Sequence, residues 1–202
     1  EMDALGGNKD LIKRARALDP NNRMKVVQKR SVDRNLRLEL GVMGGMVAGG
    51  DPYTSTSNLG ANLDFHITPR WSIGGRYLHS YNSFNSEGKR VFQEAQAAQA
   101  AGNDYSKPAV DYTRDTYLAV INFYPIYGKL NFFDMGVAQF DVYMLGGYGQ
   151  VQLSKSSTDT FTAGGGFGLW LSNHVASRLE VRYQSYKDQI YTGPRQMDIT
   201  VV

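Results

Sequence analysis

From Arg178 to Gln184 the chain reads Arg-Leu-Glu-Val-Arg-Tyr-Gln. Arg178, Glu180, Arg182 and Gln184 take one set of alternate positions, and Leu179, Val181 and Tyr183 take the other. Side chains alternate across a strand, so this segment has one charged face and one apolar face. The same period returns in 35–42, where Arg37 and Glu39 oppose Leu36, Leu38, Leu40 and Val42. It returns again in 58–67, where Asn58, Asn62, Asp64 and His66 oppose Leu59, Ala61, Leu63, Phe65 and Ile67. One such strand would suit a soluble sandwich equally well. Several of them, with both signs of charge on the polar face, describe a sheet that is polar within and apolar without, as in membrane β-barrels.

The pattern gives eight strand candidates, at 35–47, 55–67, 70–82, 114–125, 139–152, 159–171, 174–186 and 195–202. Tight turns fall at Ile67-Thr68-Pro69-Arg70-Trp71 and Leu171-Ser172-Asn173-His174-Val175, after the second and sixth strands. The connections 48–54, 83–113, 153–158 and 187–194 are polar and rich in Gly, Asp, Ser and Tyr. Short turns at one end and longer loops at the other are expected of outer-membrane barrels whose N-terminus is periplasmic. The predicted fold is all-β: an eight-stranded antiparallel transmembrane β-barrel over 35–202, with a periplasmic N-terminal extension over 1–34. The long loop between the third and fourth strands carries a predicted helix over 89–101, rich in Ala and Gln and ended by Gly102.

Three stretches fit this scheme less well. Thr116 to Phe123 is apolar on both faces apart from Asn122, as is much of the fifth strand around Tyr143 to Leu145. Ile126 to Ala138 reads as a long connection containing Leu130, Phe132, Phe133 and Met135. As an exposed loop it would be an apolar patch, which marks a contact surface. The last strand is shorter than the roughly 9–11 residues of a full crossing, which leaves open both whether the native C-terminus extends past Val202 and how the barrel closes on the first strand.

Composition sharpens this picture. No apolar run is long enough for a transmembrane helix, and negative mean hydropathy says nothing about a barrel with a polar lumen. The 22 glycines and 12% aromatics are generous and suit a tightly curved barrel with aromatic belts. Absence of cysteine removes disulfides, thiol catalysis and thiolate metal sites. Beginning at Glu1 without a Met matches a chain whose signal peptide is removed, as it would match a trimmed one. Charge is segregated: residues 1–34 hold nine Lys/Arg against five Asp/Glu, a net +4, while the rest hold thirteen against fourteen. The basic segment lacks the stacking aromatics of a nucleic-acid module. Its cations, among them Lys13, Arg14, Arg16, Arg23 and Lys25, instead point to an acidic partner or an anionic surface.

By alternation the lumen receives Arg37, Arg76, Arg178 and Arg182 against Glu39, Asp64, Asp141, Glu180 and Asp198, with His66 beside them. An eight-stranded barrel is just wide enough for side chains to fill, and buried charges must pair, so a salt-bridged plug is expected. Trp71, Phe123 and Phe140 at one rim, and Tyr81, Tyr148, Phe161 and Tyr183 towards the other, form the expected interfacial belts. The glycines at 164, 166 and 168 fall on the inward face and leave room for the arginines opposite. No catalytic, metal or cofactor constellation stands out. The three histidines lack ligand spacing, and His79 and Ser80, being adjacent on a strand, point to opposite faces.

The run Asp141-Val-Tyr-Met-Leu-Gly-Gly-Tyr-Gly-Gln, and the run from Ala163 to Tyr183 with its Gly-rich strand, short turn and Arg-x-Glu-x-Arg-Tyr strand, resemble OmpA-like outer-membrane barrels. With the basic extension, the chain looks most similar to the outer-membrane β-barrel domain proteins of predatory and gliding bacteria such as Bdellovibrio and Myxococcus. The resemblance covers roughly 24–202 and implies a Gram-negative outer membrane, contact with its lipid and lipopolysaccharide, and a part in a motility or adhesion assembly through other envelope proteins or self-association. Its motifs are architectural and carry no activity. The expected function is therefore a non-enzymatic structural anchor; the alternatives are a narrow pore for small solutes and a lipid-modifying enzyme.

Overall fold

The structure, a computed structural model, describes residues 32–103, 110–132, 136–190 and 193–202, together with Lys13 and Ala17; for 130–132 and 136–137 it describes the backbone alone. The chain divides into two units, Glu1–Arg30 and Ser31–Val202. The second holds eight strands: β1 (Arg37–Gly49), β2 (Thr54–His66), β3 (Trp71–Phe84), β4 (Thr113–Phe132), β5 (Gly136–Leu153), β6 (Ser157–Trp170), β7 (Ala176–Ile190) and β8 (Gly193–Val201). Helix α1 (Ser86–Ala100) stands between β3 and β4. Each strand pairs antiparallel with the next, and β8 returns to β1 to close a barrel.

The two tight turns share a device. Thr68 Oγ1 accepts the backbone N–H of Arg70 and of Trp71, and Ser172 Oγ accepts those of His174 and Val175. A hydroxyl at the same point of each turn thus satisfies donors that leave the ladder. These turns define one end of the barrel, here the turn end. The 49–54, 84–113, 153–157 and 190–193 connections define the loop end, where Asn85 caps α1 by accepting Gly88 N–H at 2.8 Å.

The expected connection over Ile126–Ala138 is corrected. β4 and β5 continue as a ladder from Ile126↔Val142 to Phe132↔Gly136, leaving 133–135 between them. The register shifts between Phe123 and Ile126, around Pro125. Proline cannot donate to a ladder, and a bulge is where a strand tolerates it. Beyond it the sequence Ile-Tyr-Gly-Lys-Leu-Asn-Phe alternates in hydropathy as a strand should. β3 stops pairing at Trp71↔Phe123 and β6 at Trp170↔Gln139, so this hairpin projects past its neighbours at the turn end.

Polarity is inverted relative to a soluble globule. Leu38, Leu40, Val42, Leu63, Ile73, Ile121, Leu179 and Val181 are exposed, while Asp64, His66, Arg76, Asp141 and Arg182 are buried. The interior is nonetheless layered. Leu78, Leu118 and Val120 form one buried apolar cluster, with Met43 against it. Val151, Leu153, Tyr186, Met197, Ile199 and Val201 form another towards the loop end. This explains why Thr116 to Phe123 is apolar on both faces: Leu118 and Val120 fill the lumen while Tyr117 and Ile121 face outward.

Candidate functional site

The charged half of the lumen, towards the turn end, is the most heavily built part of the molecule. Asp141 accepts Arg34 Nη1 at 3.1 Å and the indole N–H of Trp170 at 2.8 Å. The Arg34 guanidinium lies 4.1 Å from the centre of the Tyr124 ring, and Val32 N–H reaches Gln139 Oε1 at 3.3 Å. Both Val32 and Arg34 are buried. The residues that lead into β1 therefore enter the lumen and stopper it.

Deeper in, Glu39 bridges His66 Nε2 at 3.0 Å and Arg178 Nη2 at 2.7 Å, and Arg178 Nη1 donates to the Tyr124 hydroxyl at 2.9 Å. Asp64 accepts Arg76 Nη1 at 2.6 Å and the amides of Asn62 and Asn122, each at 2.9 Å. Glu180 accepts the Tyr143 hydroxyl at 2.8 Å and lies 3.9 Å from Arg76 and 3.8 Å from Arg182. Tyr124 and Tyr143, their rings 5.4 Å apart, join the parts of the network. Glycines make the close fit possible. A β-carbon on Gly166 would lie 2.6 Å from the Tyr143 hydroxyl, and one on Gly168 2.7 Å from an Asp141 oxygen.

Arg76, Arg178, Arg182, Glu39, Asp64, Asp141, Glu180 and His66 thus meet in the lumen as their alternation requires. Arg37 lies on the same face but donates to the Asn173 carbonyl at 2.6 Å rather than to a carboxylate. Asp198 is a correction. It faces outward, accepting the Tyr183 hydroxyl at 2.6 Å and the Ser185 hydroxyl at 2.8 Å. In β8 it is Met197, Ile199 and Val201 that point inward, because β8 pairs β7 with Ser185↔Asp198 and Ser185 is itself on the outer face.

Alternation missed Arg34, which precedes the first strand, and undervalued Trp170, Tyr124 and Tyr143, whose inward positions were legible but whose polar tips were not weighed. A second ion cluster at the loop end was missed outright. Arg195 binds Asp188 at 2.5 Å and Asp51 at 3.1 Å, joining β7, β8 and the β1–β2 loop.

The predicted belt aromatics lie on the outer face. Trp71 and Phe123 pack with tilted rings 4.5 Å apart, Phe140 and Phe167 stack at 5.7 Å, and Tyr148 pairs across strands with Phe161. Tyr81 and Tyr183 are exposed, and Tyr77 with Tyr117, rings 5.2 Å apart, joins them. His79 also faces out, 2.8 Å from Asp115, while Ser80 is buried on the inner face, so the two do not converge. Among the described residues no cluster of His, Asp and Glu has metal-holding geometry. Of the proposed partner-contact residues, Lys13 is helical and exposed and the backbones of Leu130 and Phe132 belong to β4. Arg14, Arg16, Arg23, Lys25, Phe133 and Met135 lie outside the described residues.

No protein-family model matches the chain, and no curated protein or solved structure matches it.

Proposed function

We propose that this chain is a non-enzymatic outer-membrane β-barrel of a Gram-negative bacterium, closed to solutes, that serves as an anchor or component of an envelope assembly. The observation that carries the reading is the inverted polarity of a closed eight-stranded barrel, with charges inside and Leu, Ile, Val and aromatic side chains over its outer face. In a bilayer a closed barrel satisfies every backbone group, and an apolar exterior needs no further cover. In water the same exterior would be a large unfavourable patch. Closure to solutes is supported by the Arg34 stopper, the Tyr124–Tyr143 pair and the apolar layers above them. A conducting pore favours one sign of charge and open space, whereas here both signs line the lumen and Glu39, Asp64, Asp141 and Glu180 each have an arginine partner.

In this reading the turn end and the basic 1–30 segment face the periplasm, and α1 lies outside among lipopolysaccharide. The resemblance to OmpA-like barrels points the same way. Partners are other envelope proteins or further copies of the chain, met through the basic segment and the projecting β4–β5 hairpin.

The protein is expected to fractionate with outer membrane, to show heat-modifiable gel migration, and to give no steady conductance in planar bilayers. Recovery as a detergent-free soluble monomer overturns the location, and a stable ohmic conductance overturns the closed lumen in favour of a narrow pore.

A further inference from the structure

The outer face of the barrel is not evenly covered. The ladders place Leu63, Gly75, Ala119, Tyr148 and Phe161 at one level across β2 to β6. The next outward level towards the turn end holds Phe65, Ile73, Ile121 and Gly146. The small residues therefore descend diagonally, from Gly75 and Ala119 to Gly146, with Ile121 on one side and Tyr148 on the other. A β-carbon on Gly75 would meet only the Leu118 carbonyl, at 3.9 Å, and one on Gly146 would meet nothing within 4 Å. Two depressions of about 730 and 610 Å³ adjoin there and share Leu63, Gly75, Ala119 and Tyr148.

Only one end of this groove is polar. Towards the loop end the next outward levels hold Tyr77 with Tyr117, then His79 with Asp115. Asp115 Oδ1 accepts the Tyr77 hydroxyl at 2.9 Å and lies 2.8 Å from His79 Nδ1, while its Oδ2 accepts no hydrogen bond among the described residues. Arg114 is exposed beside it at a bulge of β4, and Asp159 is exposed on β6, two strands on. Among the described residues this stretch of rim thus sets two carboxylates against one guanidinium and His79, around two tyrosine rings 5.2 Å apart. From the Asp115 level to the Ile121 level is six residues of β4, about 20 Å of strand. At the usual tilt of barrel strands that is about 15 Å of depth, half of a hydrocarbon core of about 30 Å.

We infer that the groove over β3 to β5 is a phospholipid site. It holds one acyl chain of a lipid whose headgroup carries a phosphate and a primary amine. The ammonium lies against Asp115 Oδ2 and the Tyr77 and Tyr117 rings, and the phosphate lies towards Arg114. This inference rests on the membrane-barrel reading for the medium around the groove. A depth of one leaflet with a polar rim at one end fits a lipid, whereas a membrane-crossing segment of a partner needs the full thickness. A carboxylate beside aromatic rings suits an ammonium, and a purely anionic headgroup would meet both carboxylates. An apolar cleft with a few polar groups placed at one end is also the general build of a small-molecule site.

The test uses the full chain folded in detergent micelles and followed by native mass spectrometry. It is titrated with phosphatidylethanolamine, with phosphatidylglycerol of the same acyl chains, and with lipid A. Wild type is expected to saturate at one phosphatidylethanolamine per barrel. That lipid is expected to bind at least about tenfold more tightly than phosphatidylglycerol, the scale of one charge-assisted hydrogen bond. Asp115→Asn is expected to abolish the preference while retaining heat-modifiable migration. Gly146→Leu, which fills the floor of the groove, is expected to weaken both phospholipids by a similar factor. Asp198→Asn, which alters a carboxylate elsewhere on the outer face, is expected to change neither.

Equal affinity for the two phospholipids, or uptake that does not saturate, overturns the inference and leaves ordinary boundary lipid. Tighter binding of lipid A overturns it too, since that headgroup brings phosphates without the amine. So does a lipid-excluding dimer that Gly146→Leu breaks, which gives the groove to a second copy. Lipid binding that Gly146→Leu leaves untouched puts the lipid elsewhere on the wall and sinks the site. Fractionation of the wild-type protein is read separately. An outer-membrane protein without lipid preference keeps the location and loses the site; a soluble protein that still selects phosphatidylethanolamine does the reverse.

Discussion

Asp141 is fully buried, and two donors converge on its Oδ2, from Arg34 and from Trp170. Removing one member of a buried pair costs roughly 3–5 kcal/mol because the other charge stays behind unpaired. Asp141→Ala is therefore expected to lower the unfolding midpoint by that order, while Asp198→Ala, whose carboxylate lies on the outer face, is expected to move it far less. Equal shifts in urea titrations of the vesicle-folded proteins would show that the lumen network does not hold the barrel. Gly166 marks the same network from the backbone side. A methyl group there meets the Leu179 carbonyl and the Cζ and hydroxyl of Tyr143, each at 2.6 Å, and overpacking of this kind costs about 1–3 kcal/mol. Gly166→Ala is expected to destabilise, and combined with Tyr143→Ala it is expected to cost less than the sum of the two single changes. Simple additivity of the two substitutions would assign the loss to the Leu179 carbonyl and not to Tyr143.

Helix α1 buries Gly88 and Ala95 and packs Phe92 on Phe84, and its first turn is held by its own cap. Asn85 Oδ1 caps Gly88 N–H at 2.8 Å while its Nδ2 donates to the Pro52 carbonyl at 2.7 Å. Asn85→Ala is expected to destabilise the helix by about 1 kcal/mol, read as faster amide exchange over 86–92 with the strands unchanged. Glu87 is hydrogen-bonded by Arg90, which also pairs with Glu94 at 3.0 Å. That bond holds the Glu87 carboxyl below its ordinary value of 4.5. A lowered carboxyl contributes stability above its unfolded pKa and loses it as pH falls through the folded one. Helix protection is thus expected to be level from pH 7 to 5 and to decline below about 4.5 in wild type, but not in Glu87→Gln. A decline shared by both forms would assign it to another group.

At the scale of the whole molecule, the N-terminal segment divides by role. Val32 and Arg34 belong to the lumen, while the net +4 of residues 1–34 includes cations further upstream. Deleting 1–23 is expected to leave heat-modifiable folding intact and to weaken envelope complexes, and the undeleted complexes are expected to weaken with added salt, since the screening length falls from about 10 Å at 0.1 M to about 3 Å at 1 M. Deleting 1–35 is expected also to destabilise the barrel, since Asp141 loses its cation. If native gels show one monomer with and without 1–23, the basic arm has no assembly role.

Strand number, inside-out polarity and most of the lumen charges were legible along the chain, because alternation at period two decides the face of a residue before any partner is known. Arg178, Glu180 and Arg182 fall inward on that ground alone. The turns at Thr68 and Ser172 were legible too, since their hydroxyls act within a few residues. Other features needed the third dimension. Asp198 was misplaced because the inward parity of a strand is set by register with its neighbour. Ile126 to Ala138 reads locally as a connection because Pro125 interrupts the pattern, whereas pairing with β5 carries the strand on through a bulge. The partners of Arg34 and the Arg195 cluster depend on which strands the closure brings together. Local periodicity therefore determined the kind of surface each strand offers, and barrel closure decided which charges meet, because that contact spans more than a hundred residues and leaves no local trace.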